Sequence, residues 1–207
     1  MDLTYRGGNC LEIAVKKETI VIDGALGSIG LKDITEKDGV YIATQPVFNP
    51  AVTDAITIDG PGEYEVRGVS IKGVAAQRML DDSSVKNATM YRIVAEGVSI
   101  VVVGHVYAPL TETQLEALGV VDIAVVPVGG NGYTLDGHQA AAVVRQLEPK
   151  VVIPTHYEDK GVTYEVPQQP LADFLKEVGG EHQVMGSYKL KGAVFPSSLT
   201  VVELTRS

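Results

Sequence analysis

A layered α/β protein with mixed sheets is the fold class this chain predicts, on three observations. Short apolar strands fill the first half, helical periodicity enters only after residue 110, and strands and helices alternate from there on. No composition break or linker divides the chain, so residues 1–207 are expected to form one domain.

Taken in order, Leu3-Thr4-Tyr5 and Leu11 to Val15 read as strands around the turn-prone Arg6 to Cys10. Ile20-Val21-Ile22 is stopped by Asp23-Gly24, and Val40 to Ala43 is another short strand. The prolines of Thr44 to Pro50 forbid a central strand there. Ala55 to Ile58 leads into the tight turn Asp59 to Gly62, and Tyr64–Val66 and Val69–Gly73 close a hairpin at Arg67-Gly68. Gln77 to Asn87, with paired Asp and paired Ser, reads as a solvated loop. A second hairpin joins Met90–Val94 to Ser99–Val103 through Glu96-Gly97. Thr111 and Gln114 then form a capping box before Leu115 and Leu118, and Val121 to Val126 is a buried strand. Asp136 caps a helix over Gly137–Leu147 whose apolar face is Ala140, Val143, Val144 and Leu147. Val151 to Pro154 is a buried strand, Leu171 to Val178 a helix ended by Gly179-Gly180, and strands near Tyr188–Leu190 and Leu199–Leu204 finish the chain.

Composition narrows the function classes. A net charge of −9 without a cluster of Lys and Arg argues against nucleic-acid binding, since phosphates need a basic footprint. No apolar run is long enough to span a bilayer, and the first residues read as a strand rather than a signal peptide. The single cysteine, Cys10, excludes an internal disulfide and fits a reducing, cytoplasmic compartment; it has no histidine nearby in sequence to activate it. Gly129-Gly130-Asn131-Gly132 lacks the Lys and Ser/Thr of a phosphate loop.

The stretch of greatest chemical interest is Val151-Val-Ile-Pro-Thr-His156-Tyr157, where a buried strand hands His156 to a loop. Thr155 and Tyr157 flank it, either to bind a ligand or to close the loop. Glu63 and Glu65 point together to one face of a strand, for acid–base work or plain solvation. Asp136 is a helix cap first, His138 follows it, and His182 beside Glu181 reads as a surface residue.

Several stretches together resemble one family. Thr19 to Asp23, Ile58-Asp-Gly-Pro-Gly-Glu-Tyr-Glu65, Pro109 to Gly119, Val126-Pro-Val-Gly-Gly130 and Leu147 to Tyr157 look like metallo-β-lactamase-fold hydrolases, especially the small UlaG-like, zinc-dependent group. The resemblance implies a four-layer αββα sandwich of two mixed β-sheets with a site at one edge. It also implies hydrolysis by a water held on one or two metal ions, usually zinc. The family's His-x-His-x-Asp-His run should fall on Gln45 to Pro50, where Gln45, Val47, Asn49 and Pro50 stand instead. A further histidine aligns with Val102, the bridging aspartate with His105, and Gly8 stands where the family often has a histidine; His156 alone matches a family ligand.

Four histidines, His105, His138, His156 and His182, cannot furnish the roughly five that two zinc ions of this family need. The expectation is therefore a degenerate member without a binuclear centre or other cofactor, binding a protein partner or a small molecule. The other reading is an atypical hydrolase of a small phosphoester or lactone. It would hold one zinc or other divalent metal on His105 and His156, with Glu63, Glu65 or Asp136 supplying an oxygen.

Overall fold

Alternation along the early strands sorts one face inward and one outward. The structure, a computed structural model, describes residues 1–82 and 86–207. In chain order the strands and helices are β1 (Asp2–Gly7), β2 (Cys10–Val15), β3 (Glu18–Ile22), β4 (Val40–Ile42), β5 (Ile56–Ile58), β6 (Gly62–Val66), β7 (Val69–Ala76), β8 (Ala88–Ala95) and β9 (Val98–Val102). After them come α1 (Glu112–Leu118), β10 (Ile123–Pro127), α2 (Gly137–Leu147), β11 (Val151–Thr155), α3 (Leu171–Val178), β12 (Glu181–Met185), β13 (Tyr188–Lys189) and β14 (Thr200–Leu204).

Two mixed sheets result. One runs β13-β1-β2-β3-β4-β5, the other β12-β14-β11-β10-β9-β8-β7-β6. Leu11, Ile13, Ile20, Ile22 and Ile42 of the first meet Ile71, Ile93, Ile100, Val125 and Ile153 of the second in the main core. Strands β9, β10 and β11 are buried along their whole length, because α1, α2 and α3 cover their other face through Leu118, Val143, Val144 and Phe174. The outer face of the six-stranded sheet is covered instead by irregular chain, Leu26, Ile29, Leu31 and Val52 packing on Cys10, Val21 and Tyr41. The fold is the two-sheet sandwich that the resemblance implied, with its helices gathered on one side. Among the described residues no helix is long and apolar enough to cross a membrane.

Both helix caps form as the sequence predicts. Thr111 and Gln114 complete one capping box, Asp136 and Gln139 the other. Residues 46–48 form a single 3-10 turn, which its proline permits where a ladder strand would not. One strand has no counterpart among the predicted elements. Glu181–Met185 is a strand, β12, at the sheet edge; its polar sequence hides it because one side of an edge strand faces water. The reading of Gln77 to Asn87 as a surface loop holds for its described residues, none of which is buried; Ser83 and Ser84 lie outside the described residues, and Arg78 and Asp81 form an ion pair at 2.6 Å.

The topology sets the site. β3 and β4 are parallel, as are β9, β10 and β11, so their carboxyl ends open at one edge of the sandwich. Crevices outside the carboxyl ends of parallel strands are where α/β folds hold ligands.

Candidate functional site

A cavity of about 390 Å³ opens at that edge. Its polar wall carries Asn9, Asp23, His105, His156 and Gln168, and its apolar wall Leu26, Ile29, Phe48, Tyr133 and Tyr164. His105 follows the end of β9 and His156 directly follows β11, which puts their ring centroids 4.7 Å apart in an edge-on arrangement. Phe48 and Tyr133 flank His105 at 5.0 and 5.1 Å, and Tyr164 lies 4.7 Å from His156. His156 holds a left-handed backbone, φ 53°, fixed by its N–H donating to the Gly8 carbonyl at 2.7 Å. Such a conformation in a non-glycine residue costs roughly 1–3 kcal/mol and is a common mark of functional sites.

A relay of side chains fixes the proton on His105. Asp81 Oδ1 accepts from Arg78 Nε at 3.0 Å and Nη2 at 2.6 Å, and this contact holds the Asp81 carboxyl at about 2. Arg78 Nη1 donates to Gln45 Oε1 at 3.1 Å. Since arginine only donates, the Gln45 amide must turn its nitrogen to His105 Nδ1, 3.2 Å away. His105 Nδ1 therefore accepts and the ring proton sits on Nε2. That atom is buried and meets no hydrogen-bond partner among the described residues. The ring is 3% exposed, and burial pushes its pKa well below the ordinary histidine value, so it is neutral at pH 7.

His156 has the opposite tautomer. Gln168 Nε2 donates to the Val166 carbonyl at 2.7 Å, which leaves Gln168 Oε1 to accept from His156 Nδ1 at 3.1 Å. The lone pair of His156 is thus on Nε2. Burial lowers its pKa to about 4. Tyr164 Oη adds a second buried polar atom without a partner among the described residues.

Next to these stands a cluster in which every group is paired. The Asp23 carboxylate accepts from Asn9 Nδ2, Thr44 N and Thr44 Oγ1, each at 2.7 Å. Asn9 Oδ1 in turn accepts from Thr155 Oγ1 at 2.7 Å, which ties β11 to the six-stranded sheet. Burial outweighs these bonds and raises Asp23 to about 6.

Of the candidates read from sequence, the structure brings His105 and His156 into one pocket. Thr155 stands behind it in the paired cluster, and Tyr157 stacks on Tyr5 at 6.2 Å. Glu63 and Glu65 lie exposed on β6, Glu63 pairing with Lys72 at 3.2 Å. Asp136 caps α2, and His138 is exposed beside Glu177 at 3.2 Å; none of these four lines the cavity. Gln45 fills the relay, Val47 is 71% exposed, and Pro50 packs by Gly24. His182 is exposed and pairs with Glu203, and the Cys10 thiol is buried away from the cavity with its pKa pushed up. Asn9, Asp23, Tyr133, Tyr164 and Gln168 are site residues that the sequence reading missed. The one signal was at Asp23, which follows a buried apolar strand just as His156 does.

This donor set does not fit a metal ion as arranged. A ligand at His105 needs a lone pair on Nε2, where the Arg78–Gln45 pair puts a proton. At Gly8, φ 57°, the left-handed backbone strains any side chain, and a Cβ would stand 2.8 Å from Ile29 Cδ1, which would have to shift. Among the described residues no group of three or more His, Cys, Asp and Glu side chains is gathered to hold a metal.

Known proteins place this geometry in context. The profile of the beta-lactamase superfamily domain matches residues 2–156. A metal-dependent hydrolase of Thermococcus onnurineus is 33% identical over 141 residues, covering 66% of this chain and 59% of that protein. A metal-dependent hydrolase of Pyrococcus abyssi is 31% identical over 128 residues, covering 60% and 54%. The match thus spans little more than half the length of these relatives. Among solved structures, a zinc-dependent hydrolase of the metallo-β-lactamase superfamily from Thermotoga maritima superposes with a TM-score of 0.77 at 28% identity, covering 99% of this chain and 100% of that one. A metallo hydrolase from Ignicoccus hospitalis shares the fold at 19% identity, TM-score 0.61, covering 86% and 89%.

Proposed function

The chain belongs to the beta-lactamase superfamily domain family, and from that premise we propose that it is a non-catalytic member whose pocket binds a small molecule without metal. One observation supports the reading: His105 carries a buried N–H on Nε2, not the lone pair a metal would need. Moving the proton to His105 Nδ1 would turn the Gln45 amide and aim its nitrogen at the Arg78 guanidinium, two donors facing each other. Breaking such a buried arrangement leaves unpaired groups that cost about 1–3 kcal/mol each. The cavity is otherwise well formed for a ligand, since it lies within the roughly 300–1,000 Å³ of small-molecule sites and joins apolar walls to a few convergent polar groups.

The relatives are named metal-dependent hydrolases, so metal content separates this reading from a single-metal hydrolase. Protein purified without chelator is expected to carry no zinc, iron or manganese by elemental mass spectrometry, and to take up none on incubation with zinc. About one equivalent of metal, lost in both His105→Ala and His156→Ala, would overturn the proposal and establish a catalytic arrangement with open positions.

A further inference from the structure

Gly129-Gly130-Asn131-Gly132, which the pocket chemistry leaves unexplained, seats one end of a segment that reaches the mouth of the cavity. Gln169 N–H donates to the Gly129 carbonyl at 2.7 Å. A Cβ on Gly129 would meet Gln168 Oε1 and the His156 carbonyl at 2.1 Å, so glycine lets this end sit close. Asn131 Nδ2 adds a bond to the Pro167 carbonyl. The other end closes on the first, because Glu158 N–H donates to the Gln169 carbonyl at 3.0 Å. Between these ends, residues 159–166 contain no strand, no helix and no buried residue. Two polar contacts latch them. Thr163 N–H donates to the Ile29 carbonyl at 2.9 Å, and since Ile29 and Thr163 both line the cavity, this bond joins two of its walls. Arg206 Nε donates to Asp159 Oδ2 at 2.6 Å, with both side chains partly exposed.

We propose that residues 159–166 are a strap that swings off the cavity as one unit, hinged at Glu158 and Pro167, and that its opening admits the occupant of the cavity and uncovers His156. A segment without buried residues, held by solvent-reached polar contacts, opens at far lower cost than a core strand. Beneath it His156 is only 4% exposed, with the Tyr164 ring of the strap 4.7 Å away. Breaking the Thr163–Ile29 and Asp159–Arg206 contacts releases the strap and carries Tyr164 off His156. Gln168 stays on its glycine seat and keeps its bond to His156 Nδ1, so the floor of the pocket holds its shape while the mouth opens. The same opening serves an organic occupant or a metal ion, so the inference goes beyond the metal-free reading and does not depend on it.

The test is modification of the full chain by diethyl pyrocarbonate in the presence of chelator, read histidine by histidine by peptide mass spectrometry. His105, flanked by Phe48 and Tyr133 rather than by the strap, reacts only on wider unfolding and is the internal standard. Arg206→Gln is expected to raise the rate at His156 relative to His105 about threefold, the effect of losing a partly exposed ion pair. A Cβ on Gly30 would stand 3.7 Å from Thr163 Cβ, within the roughly 3.5–4.5 Å of disulfides, so Gly30→Cys with Thr163→Cys locks the strap. Oxidising that pair is expected to lower the His156 to His105 ratio about tenfold, and reducing it to restore the ratio. Gly30 has a left-handed backbone, φ 78°, that strains a cysteine, so Arg206→Gln alone decides where the double variant does not fold. A ratio unchanged in Arg206→Gln, or the same in oxidised and reduced protein, would overturn the strap and leave the metal-free reading as it stands.

Discussion

Two groups of buried polar side chains meet at the open edge of the sandwich, one fully paired and one left open. In the first, Thr155, Asn9, Asp23 and Thr44 use one another's donors and acceptors in a continuous chain between the two sheets. In the second, His105 Nε2 and Tyr164 Oη have no partner among the described residues, although Gln45 and Gln168 hold the two histidine rings firmly from behind. Polar groups that satisfy each other stabilise a fold, while buried polar groups left unsatisfied cost stability and call for an explanation. The difference separates a cluster that ties the two sheets together from a pair of rings held from one side only.

Removing the centre of the paired cluster should have the largest effect. Asp23→Ala strips the acceptor from three buried donors, Asn9 Nδ2, Thr44 N and Thr44 Oγ1. A loss of about 3–5 kcal/mol is expected in urea unfolding, with the denaturant midpoint falling accordingly.

Acid should act on the two groups in opposite senses. Asp23, at about 6 in the fold, lies above its unfolded value, so its contribution is present at low pH and is lost as pH rises from about 4 to 6. His156, at about 4, lies below its unfolded value, so its contribution is present above pH 6.5 and is lost as pH falls toward 4. Each swing is on the order of 2–3 kcal/mol, and burial of His105 works in the same sense as His156. Unfolding between pH 4 and 7 should therefore show His156→Gln gaining stability relative to the wild type as pH falls, and Asp23→Asn losing it. Parallel profiles for the three proteins would mean that neither group is perturbed as described.

The relay behind His105 is the next strongest lever. Gln45→Met removes one hydrogen bond from His105 Nδ1 and one from Arg78, which should cost about 1–2 kcal/mol by urea unfolding. It should also release the His105 tautomer, so ring nitrogen shifts in this variant should report a mixture. At the other extreme, His138→Ala and His182→Ala remove exposed pairs with Glu177 and Glu203, and the same unfolding measurement should move by no more than about 0.5 kcal/mol.

Much of the sandwich was legible in the sequence because burial on both faces leaves continuous runs such as Ile123 to Val126 and Val151 to Ile153, and capping boxes are local. β12 was not, because an edge strand need not be apolar. The pocket was legible at His156, which directly follows a buried strand, and at His105 through resemblance alone. Asn9, Tyr133, Tyr164 and Gln168 come from separate loops that only the parallel strand ends bring together, and no local pattern marks them. Arg78 shows the limit most plainly. It lies in a segment read as solvent-facing, yet it decides which nitrogen of His105 carries the proton.

Long-range proton–nitrogen NMR of the histidine rings reads the position of that proton directly at neutral pH, without and with added zinc. The account predicts a protonated Nε2 on His105, a protonated Nδ1 on His156, and no change on adding zinc. A protonated Nδ1 on His105, with zinc shifting the Nε2 signals of both rings, would contradict it and return the pocket to metal chemistry.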